Sequence, residues 1–139
     1  MRNFILAGHG KISSGIASSV SLIIGKKDNL HIIDAYNEPE FDLQQSIDTL
    51  MEQLEGETIV ITDIKGGSVN NTFVSNCSRY QYTLIHTMSL PLVISLLTLD
   101  TGIENTEELI QLALQEVRTL DGVGYFTQET QTDVEDDDF

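Results

Sequence analysis

Short unbroken apolar runs alternate along this chain with stripes at helical spacing. Phe4 to Ala7 is an unbroken run that ends in Gly-His-Gly, and it predicts a buried strand. Ile12, Ile16, Val20, Ile23 and Ile24 then recur with a helical period. Ser13 or Ser14 is placed to cap that helix, and Gly25 to end it. His31 to Asp34 predicts a second strand. Leu43, Ile47, Leu50, Met51 and Leu54 mark a second amphipathic helix, with Asp42 and Gln45 as a capping pair and Gly56 as terminator. Thr58 to Thr62 is a β-branched strand that leads through Asp63 into Lys65-Gly66-Gly67-Ser68. Ser68 is a good N-cap for a helix over Val69 to Cys77. Tyr82 to His86 predicts a fourth strand, and Leu90 to Leu99 a very apolar helix with Pro91 in its first turn. Asn105 and Glu108 fit the start of a last helix with Leu109, Ala113, Val117 and Leu120 on its apolar face, ended by Asp121-Gly122. Val123 to Thr127 is a short final strand candidate.

This order of elements predicts an α/β fold: a three-layer sandwich with a mainly parallel sheet of about four strands and right-handed crossovers. One domain over residues 1–127 accommodates all of it. Residues 128–139 read as an acidic, solvated tail, with Glu129, Asp133, Glu135, Asp136, Asp137 and Asp138 in it. Such sheets bind ligands outside the carboxyl ends of their strands, where strand order reverses. Attention therefore goes to the loops after the first, third and fourth strands.

Composition narrows the partners. With 22 acidic and 7 basic residues, the formal charge is −15. That excludes a phosphate-tracking nucleic-acid binder and disfavours anionic membranes. Cys77 is the one cysteine, so no intrachain disulfide can form, and a reducing compartment is favoured. The opening apolar run is too short for a signal segment or a membrane span, which makes the expected location cytoplasmic. Cys77 itself reads as a small buried apolar residue. His31 and His86, at the ends of predicted strands, read as structural. Three scattered histidines and one cysteine give no zinc spacing, and no cofactor is implied. Walker A and G-x-S-x-G patterns are both absent.

The candidate chemistry lies in two loops. Gly8-His9-Gly10 lets the backbone turn sharply and leaves the imidazole uncovered. Asp63-Ile64-Lys65-Gly66-Gly67-Ser68 runs into a helix start, whose free amides attract anions. The loop Thr87-Met88-Ser89-Leu90-Pro91 opens another helix on the same edge. A neutral imidazole nitrogen is a good nucleophile toward phosphorus near neutral pH. Its other nitrogen needs a partner to fix the tautomer, and Asp63 can serve. The helix amides would stabilise phosphoryl oxygens.

These residues resemble the mannose-family IIA domain of the bacterial phosphoenolpyruvate-dependent sugar phosphotransferase system. The strand before Gly8-His9-Gly10, Ser14-Gly15-Ile16, Thr62-Asp63-Ile64-Lys65-Gly66-Gly67-Ser68 and Thr87-Met88-Ser89-Leu90-Pro91-Leu92 carry the likeness, over about residues 1–127. The resemblance implies a phosphorylated histidine at His9 and an orienting carboxylate at Asp63. It implies a phosphate site of Gly66, Gly67 and Ser68, with Gly8 and Gly10 flanking the histidine. Phosphorus on Nε2, with Nδ1 held by Asp63, follows by family analogy. Phosphate would come from the histidine phosphocarrier HPr and leave for a cognate IIB domain, serving the membrane IIC and IID subunits indirectly. Family members are commonly homodimers that exchange a C-terminal strand, a role open to Val123–Thr127. Three departures lie at the rim: Lys65 replaces an aromatic or apolar residue, Val69 stands where the family has proline, and Ser89 replaces asparagine. Lys65 would add positive charge beside the phosphate. Two other roles are compatible with the same residues. One is a phosphate donor or regulator for a dihydroxyacetone kinase or transcription-control system. The other is a non-catalytic anion-binding module.

Overall fold

The structure, a computed structural model, describes residues 2–128. Its elements are β1 (Asn3–His9), α1 (Ile12–Ile24), β2 (Leu30–Ala35), α2 (Leu43–Gln53), β3 (Thr58–Thr62), α3 (Ser68–Ser75), β4 (Thr83–Ile85), α4 (Leu90–Asp100) and α5 (Thr106–Leu120). A 3₁₀ turn over Asn76–Ser78 extends α3. Two compact units divide the chain, one running to Ile94 and the other from Ser95. All four strands belong to the first.

Those strands form one parallel sheet in the order β2-β1-β3-β4. Parallel strands are covered on both faces, which is why β1 and β3 are almost continuously apolar and buried. Alternation along the strands sorts their side chains. Ile5, Ala7, Ile33, Ala35 and Val60 share one core with Leu43 and Ile47 of α2 and Val69 and Phe73 of α3. The intervening residues Phe4, Leu6, Ile59 and Ile61, also buried, point the other way, and α1 packs against β1 and β2. The result is the expected α/β fold with helices on both sides of a four-stranded parallel sheet. From β1 the chain goes to β2 on one side, and β3 then lands on β1's other side. This reversal puts the carboxyl ends of β1 and β3 side by side, the position at which such sheets bind ligands. His9 closes β1, and Asp63 follows β3.

Local signals hold in two helices and shift in two. Asp42 caps α2 by accepting from the Gln45 amide at 3.1 Å, and Asn105 caps α5 by accepting from the Glu108 amide at 2.9 Å. In α1, Ser13 and Ser14 lie inside the helix and Lys11 is the N-cap residue. Asp34, from the end of β2, takes over the capping task by accepting from the Ser14 amide at 3.0 Å. In α3 the cap is Gly67 in an extended conformation, and Ser68 is the first helical residue. The Ser68 hydroxyl is therefore not spent on a backbone amide.

One expectation is corrected. Cys77 is exposed rather than buried, because the chain tightens from α3 into the 3₁₀ turn and Asn76 takes the buried position. Residues 123–127 form no strand in this chain, and Val123, Tyr125 and Phe126 are exposed. A strand exists only through its ladder, so an alternating apolar pattern without a paired edge does not become one. The acidic tail from Glu129 onward lies outside the described residues. Among the described residues, no helix is long and apolar enough to cross a membrane.

Phe73 is 0% exposed and meets Tyr82 edge-on at 5.6 Å between ring centroids. The Tyr82 hydroxyl donates to the Phe73 carbonyl, so this side chain joins α3 to the approach to β4. Phe73→Ala removes its packing and leaves a cavity, which should cost about 3–5 kcal/mol in urea unfolding.

Candidate functional site

The loop after β1 is shaped by its glycines. A Cβ on Gly8 would lie 2.5 Å from Ile12 Cγ2 and 3.0 Å from the Asp63 Cβ, so only glycine lets the two loops approach this closely. Gly10 adopts φ +63°, the left-handed region that favours glycine, and its amide donates to the Ala35 carbonyl at 2.8 Å. His9 thus ends β1 directly before the turn at Gly10, with its side chain 46% exposed.

Asp63 holds His9 twice. One carboxylate oxygen, Oδ2, accepts from the His9 backbone amide at 2.8 Å and lies 2.7 Å from ring Nδ1. The other, Oδ1, accepts from the Ile64 amide at 3.0 Å. Burial by itself pushes the Asp63 carboxyl up, since its side chain is only 10% exposed. The hydrogen bonds from the His9 amide and ring, the His9 charge and the Ile64 amide outweigh that, and the net shift is downward. Asp63 is therefore an ionised acceptor at neutral pH. An ionised carboxylate has no proton to give, so Nδ1 must carry the ring hydrogen. In the neutral imidazole Nε2 is then left with its lone pair.

Nε2 faces Ser68 Oγ at 3.2 Å. Ser68 begins α3, whose first amides have no intrahelical acceptors and carry the positive end of the helix dipole. Gly66, at φ +79°, and Gly67 bring the backbone to this point. A Cβ on Gly67 would lie 2.7 Å from Ile64 Cγ2 and 3.5 Å from His9 Cε1. Asn71 secures the loop by donating to the Gly66 carbonyl at 3.0 Å. Thr62 donates to Asn70 Oδ1 at 2.6 Å, tying the end of β3 to α3 inside the core. The arrangement offers a nucleophilic nitrogen beside a site fit for an anion. Lys65 is exposed at its rim.

His9, Asp63, Gly8, Gly10, Gly66, Gly67 and Ser68 are therefore brought together. The loop after β4 serves the fold instead. Ser89 Oγ accepts from the Leu92 amide at 3.3 Å at the start of α4, and the Met88 amide donates to the Thr62 carbonyl at 2.9 Å. His86 Nδ1 meets Thr87 Oγ1 at 2.9 Å. His31 lies on β2 with Nε2 buried and without a hydrogen-bond partner, and burial lowers its pKa, consistent with a neutral structural residue. Sequence reasoning overlooked the loop after β2. Tyr36 places its hydroxyl 3.1 Å from Ser68 Oγ and its ring centroid 5.3 Å from that of His9. Asn37 donates to the Gly10 carbonyl at 2.8 Å. The rule that singles out the carboxyl ends of strands covers this loop as well, and an aromatic residue directly after a strand was the available signal.

The depressed Asp63 pKa has a stability consequence with a definite sign. The folded value lies below the unfolded one, so the stabilisation is complete above the ordinary aspartate range. It should fade as pH falls below about 4. Urea unfolding of the wild type and of Asp63→Asn should therefore differ at neutral pH and converge at low pH.

The chain is similar to known proteins. Residues 3–114 match the family model described as the PTS (phosphotransferase system) fructose IIA component. A crystal structure from Klebsiella pneumoniae, provisionally assigned as a phosphoenolpyruvate-dependent sugar phosphotransferase system permease, is 41% identical. It superposes with a TM-score of 0.82, over 92% of this chain and 93% of that one. The mannose/sorbose-specific IIA subunit from Enterococcus faecalis is 21% identical, with a TM-score of 0.76 over 91% of this chain and 97% of that one. An EIIA component from Streptococcus agalactiae is 20% identical, with a TM-score of 0.75 over 85% and 93% of the two chains. The last two share the fold. Among curated proteins none matches the chain. The family model spans most of the sequence and takes in every residue gathered around His9, so this chain belongs to the IIA component family of the sugar phosphotransferase system.

Proposed function

We propose that this IIA component is a phosphohistidine carrier, with Nε2 of His9 as the atom that is phosphorylated. The observation that carries the reading is the 2.7 Å contact between Nδ1 and Asp63, which leaves the Nε2 lone pair facing Ser68 and the start of α3. Nε2 attacks the phosphorus of phosphorylated HPr. The donor P–N bond breaks as the new one forms, and the HPr ring takes back its lone pair. The His9 ring becomes cationic, and Asp63 stabilises it through the Nδ1 proton. The Ser68 hydroxyl and the amides at the start of α3 receive the phosphoryl oxygens. Transfer to a cognate IIB domain runs the same step in reverse at His9. The membrane IIC and IID subunits then use the phosphoryl group in sugar uptake. The chain would work in the cytoplasm, where HPr is found. The exposed Val123, Tyr125 and Phe126 would serve a homodimer in which this segment pairs with a second copy.

Intact mass after incubation with phosphoenolpyruvate, Enzyme I and HPr tests the reading. One acid-labile phosphoryl group should appear in the wild type and be missing in His9→Ala. Absence of uptake with active HPr would leave a non-catalytic anion-binding role. Uptake without transfer to any IIB domain would point to a kinase donor or a regulator. In Asp63→Asn the new amide can donate to Nδ1 and so move the ring proton to Nε2. Phosphorylation should slow on the order of 10²-fold or more, as expected for a wrong tautomer.

A further inference from the structure

Tyr36 is held in a conformation that a residue with a side chain rarely adopts. Its φ is +67°, and Thr87 is the one other non-glycine with positive φ among the described residues. Three contacts keep it there. Its ring tilts at 44° against His9, and Phe41 meets it edge-on at 5.5 Å. Its hydroxyl reaches Ser68 Oγ at 3.1 Å. The neighbouring Asn37 ties the same loop to Gly10. The loop after β2 thus grips the His9 site from the side opposite Asp63.

Counting hydrogens along this chain gives each one a direction. With the ring hydrogen on Nδ1, Nε2 can only accept, so the Ser68 hydroxyl must donate to it. Ser68 has one hydrogen, so toward Tyr36 its oxygen can only accept. Tyr36 is then the donor, and the order runs Tyr36 to Ser68 to Nε2. Nothing else among the hydrogen bonds of Ser68 Oγ fixes its rotor. Phenylalanine would meet the packing needs of the ring against Phe41, so the hydroxyl is the part that packing does not require.

We propose that Tyr36 is a positioning residue for phosphoryl transfer: its hydroxyl orients the Ser68 hydrogen toward Nε2 and, after transfer, toward a phosphoryl oxygen. The inference rests on the carrier reading of His9. During transfer the Nε2 lone pair becomes the P–N bond, so Ser68 loses its acceptor on the ring. Its hydrogen then turns to an oxygen of the arriving phosphoryl group. Tyr36 keeps its own proton throughout, and the donor histidine departs with the electron pair of the broken bond.

A double-mutant cycle of Tyr36→Phe and Ser68→Ala, read by the rate of phosphorylation from HPr, tests this. Tyr36→Phe should slow uptake roughly three- to tenfold, the worth of one hydrogen bond, with little change in melting temperature. In the Ser68→Ala background the same change should have no further effect. The ¹⁵N resonance of His9 Nε2 in the unphosphorylated protein should move in each single variant, and no further in the double. A wild-type rate in Tyr36→Phe, or an equal loss in both backgrounds, overturns the inference and leaves the carrier reading intact. Failure of the wild type to accept phosphate overturns both.

Discussion

One carboxylate oxygen governs this molecule's chemistry. Asp63 Oδ2 accepts from both the backbone amide and the ring of His9, so a single atom sets the position and the tautomer of the imidazole. Two donors on one acceptor also explain why the carboxyl stays ionised although it is largely covered. Were it to protonate, the ring would lose its reason to keep hydrogen on Nδ1. The orientation of Ser68 and Tyr36 would lose its direction in turn.

That contact depends on topology more than on local sequence. His9 and Asp63 lie 54 positions apart. They meet because β3 is laid against β1 on the side away from β2, which aligns the two carboxyl ends. The glycines then set the spacing. A side chain at Gly8 would collide with Ile12 and Asp63, so the absence of a Cβ is what permits the loops to close up. The packed core below, with Phe73 of α3 against the sheet, anchors the helix whose first residue, Ser68, faces His9.

Electrostatics sharpen the role of that helix start. A chain with formal charge −15 repels phosphate at long range. The free amides at the start of α3 act over a few ångströms, well inside the Debye length, whereas charges farther off than that are largely screened. Any attraction of an anion to this point would therefore be local, and in the proposed carrier role its approach would depend on a protein partner that delivers the phosphoryl group by contact.

The alternation of apolar runs and helical stripes was enough to determine the α/β class, the succession of strands and helices along the chain and the caps at Asp42 and Asn105. These depend on residues within a few positions of one another. The pairing of His9 with Asp63 and Ser68 was also legible, since each sits at the end of a strand or the start of a helix. Tertiary structure alone decided the rest. It moved the cap of α1 from Ser13 or Ser14 to Asp34, which reaches it from β2. It turned Cys77 outward, and it left residues 123–127 without a strand, because a ladder needs a neighbour that the pattern does not contain. It also brought Tyr36 onto Ser68 across 32 positions. Local propensity reports what a segment prefers, but a hydrogen bond between distant loops exists only after the sheet has placed both ends together.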